Sequence, residues 1–503
     1  MDLLVRARGR IFTAGALTLA LTLAIVAAGV AAASPKLTAS RPATTAVTLL
    51  QLSSDPYTNT TSQHMTEVEP DSFASGTTQV DAFQVGRFFN GGASNVGWAT
   101  TTDSGATWQH GFLPGTTVFA TPAGPWDRVS DPAVAFDKKH GAWLISALSL
   151  LGGRGAGVLV SRSTNGGTAW DNPVTVSVIG KNGFFDKEWV VCDNISSSPF
   201  YGNCYVEWDN AARGDRVLMS TSHDGGLTWS APLHPENAQG LGGQPLVQPD
   251  GTVIVPFENN GGNISAFTST TGGTSWTPAL NVAKAHVNTD GGNLRSGPLP
   301  SAEIDGAGKV YLVWEDCRFE SPCNGSVGPN DIVMSTSTDG VTWSAVQRIP
   351  IDPVGSGTDH FIPGIGVDTS TSGASAHIGL TFYYYPVATC DTSTCALDVG
   401  YVSSTNGGAT WSAKTQLAGP MSVTWLANTS GGLMVGDYIS TSILGGVAYP
   451  VFAVAAAPTN GVFDEAMFTV QGGLPVTGGA NAASSAGAAN STNSTTPVKL
   501  TAY

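Results

Sequence analysis

Only 12% of the residues in this chain are charged, yet carboxylates, arginines and tyrosines gather at the ends of its short apolar segments. In chain order these positions hold Glu67, Glu69 and Arg87; Arg128 and Asp131; Asp186, Glu188, Glu207 and Asp209; Gln244 and Glu258; Arg295, Glu315, Asp316 and Arg318; Asp359, His360 and Tyr383; Asp437 and Tyr438. Carboxylates can pass protons as acid or base. Guanidinium groups grip a carboxylate through a planar fork that an ammonium lacks. A tyrosine beside a carboxylate, as Tyr438 is beside Asp437, has a base at hand for its proton and so the makings of a nucleophile. The other reading is local: loop-end carboxylates cap turns and pair with the nearest cation.

The elements that must position these residues repeat. The stretch Met334-Ser335-Thr336-Ser337-Thr338-Asp339-Gly340-Val341-Thr342-Trp343-Ser344 has relatives ending in Trp108, Trp170, Trp229, Trp276 and Trp411. By subtraction of their numbers, successive tryptophans stand 47 to 68 residues apart, room for one four-stranded sheet with its loops. Each copy reads as a tight hairpin loop in which Asp or Asn folds onto backbone N–H groups, Gly supplies a positive φ and the indole covers the turn. Metal or sugar binding by the Asp is the competing reading. Three copies replace it with Asn165, Thr271 and Asn406, which a metal site tolerates badly.

These residues resemble the Ser-x-Asp-x-Gly-x-x-Trp Asp box of the sialidase-like β-propellers, the bacterial neuraminidase repeat, over roughly residues 65 to 470. The resemblance implies an all-β fold, a β-propeller of four-stranded blades. Seven blades are expected, six of them carrying boxes, with a six-bladed sialidase-type ring as the alternative. The seventh, unboxed blade lies in Leu433 to Val470, and the alternating stretch Thr45 to Leu52 is expected to add its outer strand and close the ring. Boxes joining third to fourth strands would share one face. Function is therefore expected on the opposite face, around the axis.

Sialidases clamp the carboxylate of an acidic sugar with three arginines and use a tyrosine nucleophile. By resemblance, Arg128, Arg295 and Arg318 form the clamp, Tyr438 or Tyr383 the nucleophile, Glu315 or Glu188 its base, and Asp131 the acid. Arg295 is expected to open the innermost strand of its blade with its charge free for a ligand. The family's early Phe-Arg-Ile-Pro motif is missing. Arg348-Ile349-Pro350 follows the box at Trp343 and is assigned to an outer strand. The expected activity is exo-sialidase-type glycoside hydrolysis, with a non-catalytic propeller binding glycan or protein as the alternative. A hydrolase of neutral polysaccharide would instead need a carboxylate pair across an open groove.

Composition agrees with an all-β chain, since 62 glycines in 503 residues favour many turns and short strands. The net charge of -15 speaks against nucleic acid and anionic membrane as partners; a glycan substrate or ligand is what the resemblance implies. Arg6, Arg8 and Arg10 precede an apolar run from Ile11 to Ala33, read as a signal peptide over 1-33 or an uncleaved anchor, so the protein is expected to be secreted. Residues 34-471 form the expected propeller, and 472-503 a disordered tail in which Leu474-Pro475-Val476-Thr477-Gly478 resembles an anchoring signal without its apolar and basic continuation. The six cysteines fall into close pairs, Cys192/Cys204, Cys317/Cys323 and Cys390/Cys395, expected as disulfides. No pattern has zinc-site spacing, so neither metal nor cofactor is expected.

Overall fold

A computed structural model describes residues 47–478. The expected signal peptide and all but the first residues of the expected tail lie outside them. Among the described residues no helix is long and apolar enough to cross a membrane.

The fold is all-β and built of antiparallel meanders. The first runs Glu67–Ser75, Thr78–Arg87, Ala93–Thr101, Gln109–Phe112; the second Arg128–Asp137, Ala142–Leu151, Arg154–Ser163, Val174–Val178. A single pairing, Ala93 with Val129, joins these two into one sheet. The third has three strands, Phe185–Cys192, Cys204–Asn210 and Arg216–Ser222. The fourth opens with two short pieces, Gly240–Leu241 and Leu246–Val247, then Val253–Asn259, Asn263–Ser269 and Leu280–Lys284. The fifth is Ser301–Ile304, Val310–Asp316, Asp331–Ser337, Gln347–Arg348, and the sixth Asp359–Val367, Ile378–Tyr385, Ala396–Ser404, Thr415–Ser422. The last runs Ser440–Leu444, Val447–Ala455, Glu465–Val470, and its outer strand comes from the far end of the chain: Leu49–Gln51 pairs with Val470, Thr469 and Phe468.

Second strands such as Val310–Asp316 and Ile378–Tyr385 are buried along their whole length, as continuous apolar runs demand when both faces are covered. Each meander's first strand packs against the first strand of the next, and that of the last packs against the first. The approach is close. At Gly364 and Gly366 an added Cβ would meet the carbonyl oxygens of Ile439 and Thr441 at 2.5 and 2.3 Å, so only glycine lets the backbones come this near.

The six repeated turns join third to fourth strands or their equivalents and satisfy themselves. In the copy at Trp229, Asp224 Oδ1 accepts from the Ser222 hydroxyl at 2.9 Å and the Thr228 N–H at 2.9 Å, while Ser222 Oγ accepts from the Gly226 N–H at 2.9 Å. The same pattern recurs through Asp103, Asn165, Asp339 and Asn406, and through the hydroxyl of Thr271. These oxygens are occupied by the turn itself, which settles their role as turn formers. Replacing Asp224 with Ala strips four acceptor contacts from an exposed loop and should cost about 1 kcal/mol, read as a small fall in denaturant midpoint with an unchanged m-value.

The three disulfides pair as expected: Cys192–Cys204, Cys317–Cys323 and Cys390–Cys395. Arg348 lies on the outer strand Gln347–Arg348, paired with Val333 and Met334 and ion-paired to Asp331 and Asp352 at 2.7 and 2.8 Å. The boundary expected at Gly472 moves. Leu474–Pro475 pairs with Val447 and Ala448, and Leu474 is buried. One large apolar residue in a polar stretch had an open strand edge to dock on.

Candidate functional site

Four first strands share a local irregularity. In the first, second, third and sixth meanders the register shifts after Val68, Ser130, Asp186 and Phe361. The residue at or next to each bulge, Glu69, Asp131, Lys187 and Ile362, has φ of 57°, 50°, 39° and 48°. Side chains other than glycine avoid this region, and bulges of this kind re-aim side chains beside working sites. Here three of the four re-aimed residues are ionisable.

They converge with residues from distant loops. Glu69 is held well above the ordinary carboxylate range by burial, with Asp131 and Asp437 adding to the effect and Arg87 and Arg295 opposing it. Burial and the neighbouring Asp131 push Asp186 up to about 7. Glu188 is raised by burial and by Asp131. The cluster thus gathers five carboxylates (Glu69, Asp131, Asp186, Glu188, Asp437) around Arg87, Arg295 and Lys187. Glu69 and Glu188 are buried, while Arg295, Asp437 and Asp186 are only partly so.

Arg295 meets Asp437 as a fork, Nε donating to Oδ1 at 2.7 Å and Nη2 to Oδ2. Despite burial, that partner raises the guanidinium's proton affinity. The charge expected to be free for a ligand is therefore already paired. Nor does Arg295 open its meander's first strand, which begins at Ser301; its N–H donates instead to Leu433 O at 2.7 Å, tying its segment to the two-stranded hairpin Ala427–Thr429 and Gly432–Met434 that precedes the last meander. Arg87 is buried, donates to Gly92 O at 2.8 Å and has its proton affinity lowered by that burial.

The Tyr438 hydroxyl donates to Pro132 O at 3.0 Å, and burial followed by the nearby Glu69, Asp131 and Glu188 drives its pKa well up. The Lys187 ammonium lies over its ring at 3.7 Å and over Trp189 at 4.2 Å. Beside them is a cavity of about 20 Å³ lined by Asp71, Lys187, Gln244, Glu303, Asp437 and Tyr438, space for one water-sized molecule. Burial pushes Asp71 up to about 7 and Glu303 up to about 8.

Of the residues given a catalytic or clamp role from the sequence, Tyr438, Asp131, Arg295 and Glu188 come together here. Four do not join them. Arg318 is forked onto Asp316 and reaches Lys284 O at 2.5 Å. Arg128 donates to Asn90 Oδ1 at 2.7 Å and Gly91 O at 2.9 Å and stacks on Phe88. Glu315 is buried in another group, its proton affinity raised by burial and then by Asp290. The three arginines of the expected clamp thus have three separate sets of acceptors. Tyr383 is remote as well, its hydroxyl bonded to Ala453 O at 2.9 Å. Lys187 had been passed over, because a bulge that turns consecutive residues to one side leaves no periodic trace.

No family model matches the chain, and no curated protein matches it. Solved structures similar to it include the Hadza microbial sialidase Hz136 (18% identity, 64% of each chain covered, TM-score 0.42). Others are a polysaccharide lyase of the PL25 ulvan lyase family (11%, 85% of this chain and 97% of that, 0.49) and Trypanosoma rangeli sialidase (12%, 81% and 55%, 0.43). The chain spans 64% of the length of Hz136. At these identities and scores the likenesses carry no weight for function, which rests on the residues above.

Proposed function

We propose that the seven meanders are blades of a β-propeller and that the cluster at its axis is the carbohydrate site of an exported protein acting on glycans with carboxylate acid and base. The cyclic packing of first strands, closed by the N-terminal strand, supports the ring. The three disulfides fit an oxidising compartment. The observation that carries the reading is the convergence of Glu69, Asp131, Asp186, Glu188 and Asp437 from separate parts of the chain. Asp186 is largely buried, with a pKa pushed up to about 7, so near neutral pH a good share of it holds a proton for a leaving oxygen while a neighbouring carboxylate serves as the base.

Exo-sialidase cleavage is the narrower version. It requires Arg295 to leave Asp437 for the sugar carboxylate, joined by Arg87, and Tyr438 to leave the Pro132 carbonyl. The present pairing of both groups favours a second reading, glycan binding without cleavage. Release of a fluorescent leaving group from a panel of neutral and acidic glycosides, read beside glycan binding, separates the three. We expect release from neutral glycosides, reduced at least about 100-fold by Asp186→Asn. Release from sialosides alone would establish the sialidase version, and binding with no release from any substrate would leave the binding module. A protein that neither binds nor cleaves any glycan would overturn the carbohydrate reading.

A further inference from the structure

A second buried acidic group lies apart from the cluster just described. Asp359 opens the first strand of the sixth meander, and Asp290 sits in the long segment between the fourth and fifth. The side-chain amide of Asn330 lies between them, its Nδ2 donating to Oδ1 of Asp290 and to Oδ1 of Asp359, both at 3.0 Å, while its backbone N–H donates to the same Asp359 oxygen at 2.8 Å. Asn330 is itself locked, its Oδ1 accepting from the Asn288 N–H at 2.9 Å. One oxygen of each carboxylate is therefore fixed. The other oxygen of each, Oδ2, is buried without a hydrogen-bond partner, the Ser296 hydroxyl stands close to the Asp290 carboxyl, and the two carboxyls lie within hydrogen-bond range of each other.

Two further groups point to what this pair would hold. Tyr385, opposite Asp359 in the strand register, is fully buried, and its hydroxyl has no partner. Glu315 presents one buried oxygen without a partner and lies near enough to Asp290 and Asp359 for like charges to repel. Two carboxylates, with a tyrosine oxygen beside them, make a hard, oxygen-only, anionic setting. Leaving two acceptor-only groups face to face in a dry interior is costly unless a proton or a cation lies between them.

The other acidic trio, Asp331, Asp352 and His360, already has its cation, because the Arg348 guanidinium reaches both carboxylates. Among the described residues no arginine or lysine is bonded to Asp290 or Asp359. The setting also suits a structural ion. Asn288, two residues before Asp290, holds the loop that follows the Cys317–Cys323 disulfide through bonds to Pro322 O, Asn324 N and Gly325 N. Gly291 packs on Cys390 and Gly292 on Cys395. Five residues after Asp290 comes Arg295, at the mouth.

We propose that Asp290 and Asp359, with the Tyr385 hydroxyl beside them, form a calcium-class divalent cation site that staples the loops around the mouth and fixes the segment leading to Arg295. The test uses the full mature chain stripped with chelator and then given CaCl2, with MgCl2 as the comparison. Binding by calorimetry should show one calcium ion per chain, and the melting temperature should rise with calcium concentration. Asp359→Asn keeps the Oδ1 acceptor for Asn330 and puts an N–H where Oδ2 faced Asp290. It should fold without the ion, lose calcium binding at least tenfold and lose most of the calcium-dependent rise in melting temperature. Asp290→Asn provides the same test from the other side should Asp359→Asn fold poorly. Absence of binding to the stripped parent, or an undiminished calcium response in a folded variant, would overturn the site and leave a carboxyl pair sharing a proton. Because this reading concerns calcium and not sugar, it stands or falls independently of glycoside release.

Discussion

Raising the pH from 5 to 8, in chelator, should lower the melting temperature by about 10 °C. Glu67 is buried, and its pKa rises to about 8, with the Ser53 hydroxyl only partly offsetting the burial. Asp71, also buried, is pushed to about 7. Glu69, Asp81, Glu188, Glu207, Asp209, Glu315, Asp359 and Glu465 are raised well above the ordinary range, desolvation being the first cause for each. A carboxyl whose proton affinity is higher folded than unfolded binds more protons in the native state between its two pKa values. Stability therefore falls as pH rises through that window. Its contribution is fully present below about pH 4 and lost by about pH 8. Glu67 alone corresponds to a few kcal/mol over this range at about 1.4 kcal/mol per unit. Opposing groups act elsewhere: Asp103, held at about 2 by its turn hydrogen bonds, loses its contribution only below about pH 4. Scanning calorimetry from pH 4 to 9 reads the slope directly. A flat or rising melting temperature between pH 5 and 8 would mean that cationic or hydrogen-bond partners compensate the charged form of these carboxylates in the folded protein.

The repeating architecture was legible because each turn carries its own chemistry within a few residues: an acceptor side chain, a glycine and an indole. Six copies are enough to set the period of the chain. The last meander lacks that turn, and its outer strand is recognisable only by its isolated alternation before the first repeat. The site was legible in part. Asp131 lies near the start of a first strand and Tyr438 just before the start of another, and topology alone carries such positions to the centre. The arginines were not legible to the same degree, because a guanidinium goes to its nearest acceptor. Asp316, two residues before Arg318, captures it locally. Arg295 is captured by Asp437, 142 residues further along the chain, and no reading of neighbouring residues could show that. Asp290 had the opposite difficulty: it lies in a loop with no periodicity, and its partner Asp359 becomes its neighbour only through Asn330.

Removing residues 47–53 from the protein should unfold it at temperatures where the parent is native. Leu49–Gln51 supplies the outer strand of the last meander, and Leu52 N donates to Met467 O at 2.8 Å. Leu52 itself is 1% exposed and packs in the largest apolar cluster, alongside Phe452, Met467 and Val470. Losing that side chain alone costs about 2–5 kcal/mol. Ser53 then does two jobs at once, its Oγ donating to Glu67 Oε2 at 2.6 Å and accepting from the Met467 N–H at 2.8 Å. Without it, the buried Glu67 carboxyl and the Met467 amide are both left without these partners, at about 1–3 kcal/mol each. The deletion also bares the strand Glu465–Val470 as an unpaired edge, which invites association between chains. The sum approaches the whole stability of an ordinary domain, so the truncated chain should be largely insoluble or molten when expressed. A milder variant keeps the test interpretable: Ser53→Ala preserves the strand and should lower the denaturant midpoint by the equivalent of about 2 kcal/mol. Its deficit should be larger at pH 8 than at pH 5, because the lost hydrogen bond favours the charged form of Glu67. A truncated protein that melts like its parent would show that the last meander holds its edge without the N-terminal strand.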